Sequence, residues 1–123
     1  MHIETTWHRA MTETLRREGA RGPWLALVSQ VLHLAGPGAQ FERHFERPWS
    51  SSTFSGSRHT IRLAFEGPEP VEQGEAFIAA LPEHEFSLSG QLVADATITK
   101  VEHSLVDGPR MELEAELLVL DEA

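Results

Sequence analysis

The sequence predicts an α+β fold, a two-layer sandwich of one antiparallel sheet with its helices on one face. Three observations predict it: two apolar patterns of helical spacing near the N-terminus, a strand-like alternation after residue 59, and a long alternating hairpin at the C-terminus. The predicted order is α-α-β-β-α-β-β, in which hairpins joined by a helix favour an antiparallel sheet. A length of 123 residues fits one domain, 1–123.

The first two helices are predicted from apolar residues that recur every three or four positions. In the first helix these are Ile3, Trp7, Ala10 or Met11, and Leu15. The second helix begins at Pro23, which suits a first helical position, and stops at Gly36-Pro37-Gly38. Its apolar residues are Trp24, Leu27, Val28, Val31, Leu32 and Ala35. A face this wide predicts packing against more than one neighbour.

Residues 40–47 fit either a helix or a strand. Phe41 and Phe45 are four positions apart, which suits one face of a helix, but they also share the parity of one face of a strand. Pro48 disfavours a continuing helix, because the residue before a proline is pushed out of the α region. We therefore expect an edge strand.

The segment from Trp49 to Phe65 predicts a hairpin whose turn is Ser55-Gly56-Ser57. With a three-residue turn, Thr53 pairs with His59, whereas a two-residue turn places Ser50 and Ser52 on the face of His59 instead. The alternation of Ile61, Leu63 and Phe65 predicts that the second strand contributes to the core. The register of this hairpin is left open by the sequence.

A third helix is expected between Gly67 and Pro82, with a C-terminal hairpin after it. The hairpin register follows from a four-residue loop at 106–109, which pairs Leu105 with Arg110 and Ile98 with Leu117. On the face of this hairpin that points away from the core, the second strand then carries Glu112, Glu114, Glu116, Leu118 and Leu120. The first strand carries Val93, Thr99, Val101 and Leu105 on the same face. His103 is expected to face Glu112 across the hairpin. Aliphatic residues at one end of that face predict a homo-oligomer, such as a homodimer.

The candidate ligand-binding residues are Trp49, Ser51, Thr53, Arg58 and His59. Arg58 and His59 beside a turn could bind a small anionic ligand, because turns also offer backbone N–H groups. A hydroxyl near His59 is the minimum for an activated nucleophile, which gives the alternative of a small hydrolase or acyl-handling enzyme. The orienting acid would have to come from Glu85 or Asp95 through the fold, and no nucleophile-elbow motif is present. A non-catalytic binding or assembly module is therefore the leading interpretation, with no catalytic residue assigned.

Composition narrows the classes of function. The net charge of −9 without a basic cluster argues against nucleic acid and anionic membrane surfaces as partners. The absence of cysteine excludes disulfides, thiol nucleophiles and cysteine metal sites. None of the seven histidines forms a helical metal-binding pair, so no metal and no cofactor is predicted. We expect a cytoplasmic protein, because no signal peptide and no membrane-spanning segment is visible.

Overall fold

The computed structural model describes residues 23–122, so the predicted first helix lies outside the described residues. The elements are α1 (Pro23–Ala35), β1 (Gln40–Ser50), β2 (Ser55–Glu66), α2 (Pro68–Ala80), a 3-10 turn (Leu81–Glu83), β3 (Gln91–Ser104) and β4 (Arg110–Asp121). This confirms the α+β class and the part of the predicted order that these residues cover. None of the described helices is long and apolar enough to cross a membrane.

The four strands form one antiparallel sheet in the order β1-β2-β4-β3. Residues 40–47 belong to β1, which lies at the edge of this sheet, so the expected edge strand is confirmed. β3 is the opposite edge. The two hairpins, β1–β2 and β3–β4, meet along the central pair of strands, β2 and β4.

Both described helices pack against the same face of the sheet. Alternate residues of β2 and β4 are buried beneath them, including Ile61, Leu63, Met111 and Leu113. Burial of such side chains is the main favourable term in folding, at roughly 25 cal/mol per Å² of apolar surface. We call the other side of the sheet, which turns away from α1 and α2, the open face.

Two glycines shape the helices: one ends α1, and the other lets α2 pack closely against the sheet. The N–H of Gly36 donates to the carbonyl of Leu32 at 3.1 Å, with φ of +99° at Gly36, so α1 ends as predicted. In α2, a Cβ at position 74 would collide with the end of Met111 and lie 3.0 Å from the ring of Phe65. Gly74 therefore lets α2 approach the sheet closely.

The predicted register of the C-terminal hairpin is wrong by one to three positions. Ser104, not Leu105, pairs with Arg110, and the connection is the five residues 105–109, in which Asp107 has φ of +59°. The register then shifts twice along β3, between Val93 and Asp95 and between Ile98 and Lys100. Each shift inserts one extra residue, as in a β-bulge, which single-residue alternation cannot reveal.

These bulges change which residues of β3 face the core. Val101 lies opposite Leu113 and Val93 opposite Val119, on the side of the helices rather than on the open face. His103 lies opposite Met111, so its predicted pairing with Glu112 is also wrong. The open-face position of the β4 glutamates and of Leu118 and Leu120 is confirmed, because β4 alternates without interruption.

Candidate functional site

The connection between β1 and β2 lies at residues 51–54, not at the predicted 55–57. Ser50 pairs with Ser55, and the N–H of Ser51 donates to the carbonyl of Phe54 at 2.8 Å. The Ser51 hydroxyl accepts hydrogen bonds from the N–H groups of Thr53 and Phe54, at 3.3 and 3.1 Å. Ser51 thus closes the loop with its own side chain, a common role of serine in turns.

The five candidate ligand-binding residues do not come together at one site. Trp49 and Arg58 lie at open-face positions, whereas His59 is buried on the side of the helices. Ser51 and Thr53 lie in the loop. The reason is the alternation of a strand, since neighbours such as Arg58 and His59 must point to opposite faces.

The hydrogen-bond partner of His59 is a second histidine. Its Nδ1 lies 2.9 Å from Nε2 of His44, and no hydrogen bond links it to a serine or threonine within residues 23–122. The hydrolase alternative needs a hydroxyl activated by His59. The geometry of the described residues does not supply that pair.

Four side chains gather around this contact, and we call them the histidine cluster: Trp24, His44, Glu46 and His59. Trp24 stacks on His44 with ring centroids 4.6 Å apart and an interplanar angle of 8°. Glu46 lies directly opposite His59 across β1 and β2. The ligand atoms of His44, Glu46 and His59 all lie within 4.8 Å of one another. The cluster sits where the start of α1 meets the edge of the sheet.

Burial lowers the pKa of both imidazoles and so favours their neutral forms. Desolvation is the main cause that lowers the pKa of His59 below its ordinary value. Desolvation also lowers the pKa of His44, and repulsion from His59, when that ring is protonated, lowers it further. The carboxylate of Glu46 opposes both shifts without cancelling them. The two rings therefore share a hydrogen bond between neutral groups.

The middle of the open face is a network of charged side chains centred on Arg62. Its guanidinium contacts four carboxylates: Glu42 at 3.2 Å, Glu102 at 3.3 Å, Glu114 at 3.0 Å, and Glu112. The hydrogen bond to Glu112 is the main cause that raises the pKa of Arg62 above its ordinary value. Hydrogen bonds from Arg110 and Arg62 likewise lower the pKa of Glu112.

One end of the open face is apolar instead. Trp49, Gly56, Leu120 and Leu92 form a row of partners across all four strands. Leu92 is 55% exposed, and Phe54 in the adjoining loop is 52% exposed. A cavity of about 580 Å³ lies here, lined by Thr53, Phe54, Ser55, Leu92, Leu120, Asp121 and Glu122. We call Trp49, Phe54, Leu92, Leu118 and Leu120 the apolar end.

Sequence reasoning missed the histidine cluster and two of the five residues of the apolar end. A turn at 51–54 rather than 55–57 places Glu46 opposite His59, so the position of the turn was the missing information. Both segments are rich in serine, which favours turns in either place. Leu118 and Leu120 were predicted on the correct face, but Leu92 and Phe54 were not recognised as their neighbours.

Comparison with known proteins finds solved structures that are similar to this chain in fold. No protein-family model and no curated protein matches the chain. Among solved structures, the chain is similar to a chain of the virion of a native gene transfer agent (GTA) particle, with a TM-score of 0.51 and 20% identity over 92% of this chain and 93% of that one. A second match is the type 4 fimbrial biogenesis protein PilO from Pseudomonas aeruginosa, with a TM-score of 0.46 and 15% identity, covering 98% of this chain and 82% of that one.

Proposed function

We propose that this protein is a non-catalytic structural subunit that associates with copies of itself through the open face of its sheet. The observation that carries the proposal is the apolar row Trp49, Leu120 and Leu92, which the described helices leave uncovered. Contiguous exposed apolar side chains on a small domain commonly mark a contact surface. The fold shared with a chain of a virion particle supports an assembly role.

The open face is large enough for a stable contact. β1 has 11 residues, and with strands about 4.8 Å apart and a rise of about 3.3 Å per residue, four strands present about 700 Å². A standard protein interface buries about 800 Å² on each partner. Packing of the two open faces would therefore give an interface of ordinary size.

Charge on the open face suits a second copy of the same chain. Arg43, Arg47 and Arg58 lie on the β1–β2 side, where Arg58 is paired with Glu116 at 3.1 Å, whereas Glu112 and Glu114 lie on β4 within the network around Arg62. Arg43 and Arg47 make no ion pair with residues 23–122, and Arg43 instead lies over the ring of Phe45 at 5.3 Å. A two-fold axis can bring the basic side of each copy over the acidic side of the other, because such interfaces are self-complementary.

The outer strands of the described sheet, β1 and β3, suit self-association less well. β1 contains Pro48 and a register shift between Phe41 and Arg43, and β3 is bulged twice. Proline and bulges at an edge hinder the addition of another strand, because they interrupt its hydrogen-bonding pattern. The open face is therefore a better candidate for contact than either edge.

Light scattering coupled to size exclusion tests this function. We expect the mass of two or more copies of the 13.7 kDa chain. The Leu120→Lys variant should have a lower mass, because it places a charge within the apolar row. The matched control is Leu105→Lys, because Leu105 is 81% exposed in the hairpin loop, away from this row. A strict monomer at all concentrations would remove the proposal.

A further inference from the structure

We propose that His44, His59 and Glu46 form a binding site for a divalent transition-metal ion of the Zn²⁺ type. Their ligand atoms all lie within 4.8 Å of one another, on the side of the sheet opposite to the open face. The site is therefore separate from the proposed surface of self-association. Two imidazole nitrogens and one carboxylate oxygen are a donor set that zinc commonly takes in proteins.

The distances are close to those that a bound ion requires. In a tetrahedral site with metal–nitrogen bonds of about 2.0–2.1 Å, neighbouring donor atoms lie about 3.4 Å apart. Nε2 of His44 and Nδ1 of His59 lie 2.9 Å apart, so the two rings need to separate only slightly. Glu46 is exposed, and its carboxylate oxygen lies within 4.8 Å of both nitrogens, so it must move closer to share one ion with them.

The two imidazoles are already held in place. His59 is 3% exposed within the layer beneath α1, and Trp24 stacks on His44. A site whose ligands are fixed before binding loses less conformational entropy when the ion arrives. In this arrangement Nδ1 of His59 and Nε2 of His44 face each other at hydrogen-bond distance.

Binding of an ion needs one rearrangement of protons. In the hydrogen bond, one of the two facing nitrogens carries the hydrogen, whereas a metal needs a lone pair on both. The donating ring must therefore move its N–H to its other nitrogen, and both rings remain neutral. The imidazole set favours zinc, copper, nickel or cobalt, and disfavours Mg²⁺ and Ca²⁺, which prefer oxygen ligands. Three protein ligands leave a fourth position for water.

Calorimetric titration of the untagged, chelator-treated full chain with ZnCl₂ tests the site. We expect one ion per chain at this site. His44→Gln should lower the affinity for zinc at least about tenfold, since even the loss of a residue that only hydrogen-bonds to a metal ligand has an effect of this size. Glu46→Gln should also weaken binding, and because Glu46 is exposed this variant should fold normally. Circular dichroism of each variant without metal verifies folding.

Matched controls separate this site from other histidines. His33→Gln and His103→Gln change exposed histidines and should leave the affinity unaltered. The double variant His2→Gln/His8→Gln removes two histidines near the N-terminus and should still bind the ion at the histidine cluster. Co²⁺ should give the absorption of a tetrahedral complex in the wild type and lose it in His44→Gln. Binding that is equal in the wild type, His44→Gln and Glu46→Gln would overturn the proposal, as would zinc binding that only the His2/His8 variant loses.

Discussion

The imidazoles of His44 and His59 are joined at 2.9 Å, although the two residues are diagonal rather than direct neighbours across the hairpin. The direct partner of His59 is Glu46, and that of His44 is Ile61. The contact therefore ties two adjacent strands together, and stacking on Trp24 links both of them to α1. Protonation of either ring should disturb all three elements.

Stability in the presence of a chelator should fall as the pH is lowered below the ordinary pKa of histidine, about 6.5. The folded state lowers the pKa of both His44 and His59, so in this range the unfolded chain binds more protons than the folded chain. The loss should level off below the folded pKa values. Urea unfolding at a series of pH values measures it.

The pH effect has a matched control. His44→Gln should make the fall of unfolding free energy over this range smaller, with the part due to the buried His59 remaining, whereas His33→Gln should leave it unchanged, because His33 is exposed on α1. An equal slope in the wild type and His44→Gln would show that the histidine pair is not its source.

Gly56→Ala should destabilise the protein by about 1–3 kcal/mol, the usual cost of overpacking. A Cβ at position 56 would collide with the carbonyl oxygen of Val119 and lie 2.8 Å from Cα of Leu120, and neither backbone atom can move aside cheaply. Urea unfolding measures the loss. Ser57→Ala, one position along β2, is the comparison and should cost less; equal effects would contradict the close approach.

The hairpins show how far the sequence alone can predict this structure. The helical patterns from Pro23 and between Gly67 and Pro82 gave the correct elements, because apolar periodicity reports which face is buried. The register was not predictable to the same degree. Gly56 suggested a turn, but it is needed where β2 approaches β4 closely, while Ser51 closes the loop. Register decides which polar residues meet, so the histidine cluster could not be predicted.

Arg62→Gln should lower the thermal midpoint, because removal of the guanidinium leaves the surrounding carboxylates, Glu112 and Glu114 among them, to repel one another. The deficit should shrink in high salt, which screens charges at the surface of a protein. Thermal unfolding at low and high NaCl measures both effects. Arg43→Gln is the control, since Arg43 makes no ion pair within residues 23–122; a deficit independent of salt would contradict the electrostatic cause.

The central claim is that the apolar end is buried between copies of the chain, and cysteine alkylation tests it most directly. The sequence has no cysteine, so Leu92→Cys and Leu105→Cys each introduce a single thiol. Both leucines are exposed in the isolated chain, at 55% and 81%. We predict that a maleimide reacts slowly with Leu92→Cys at high protein concentration and faster on dilution, while Leu105→Cys reacts fast throughout. Fast labelling of Leu92→Cys at every concentration would contradict the account.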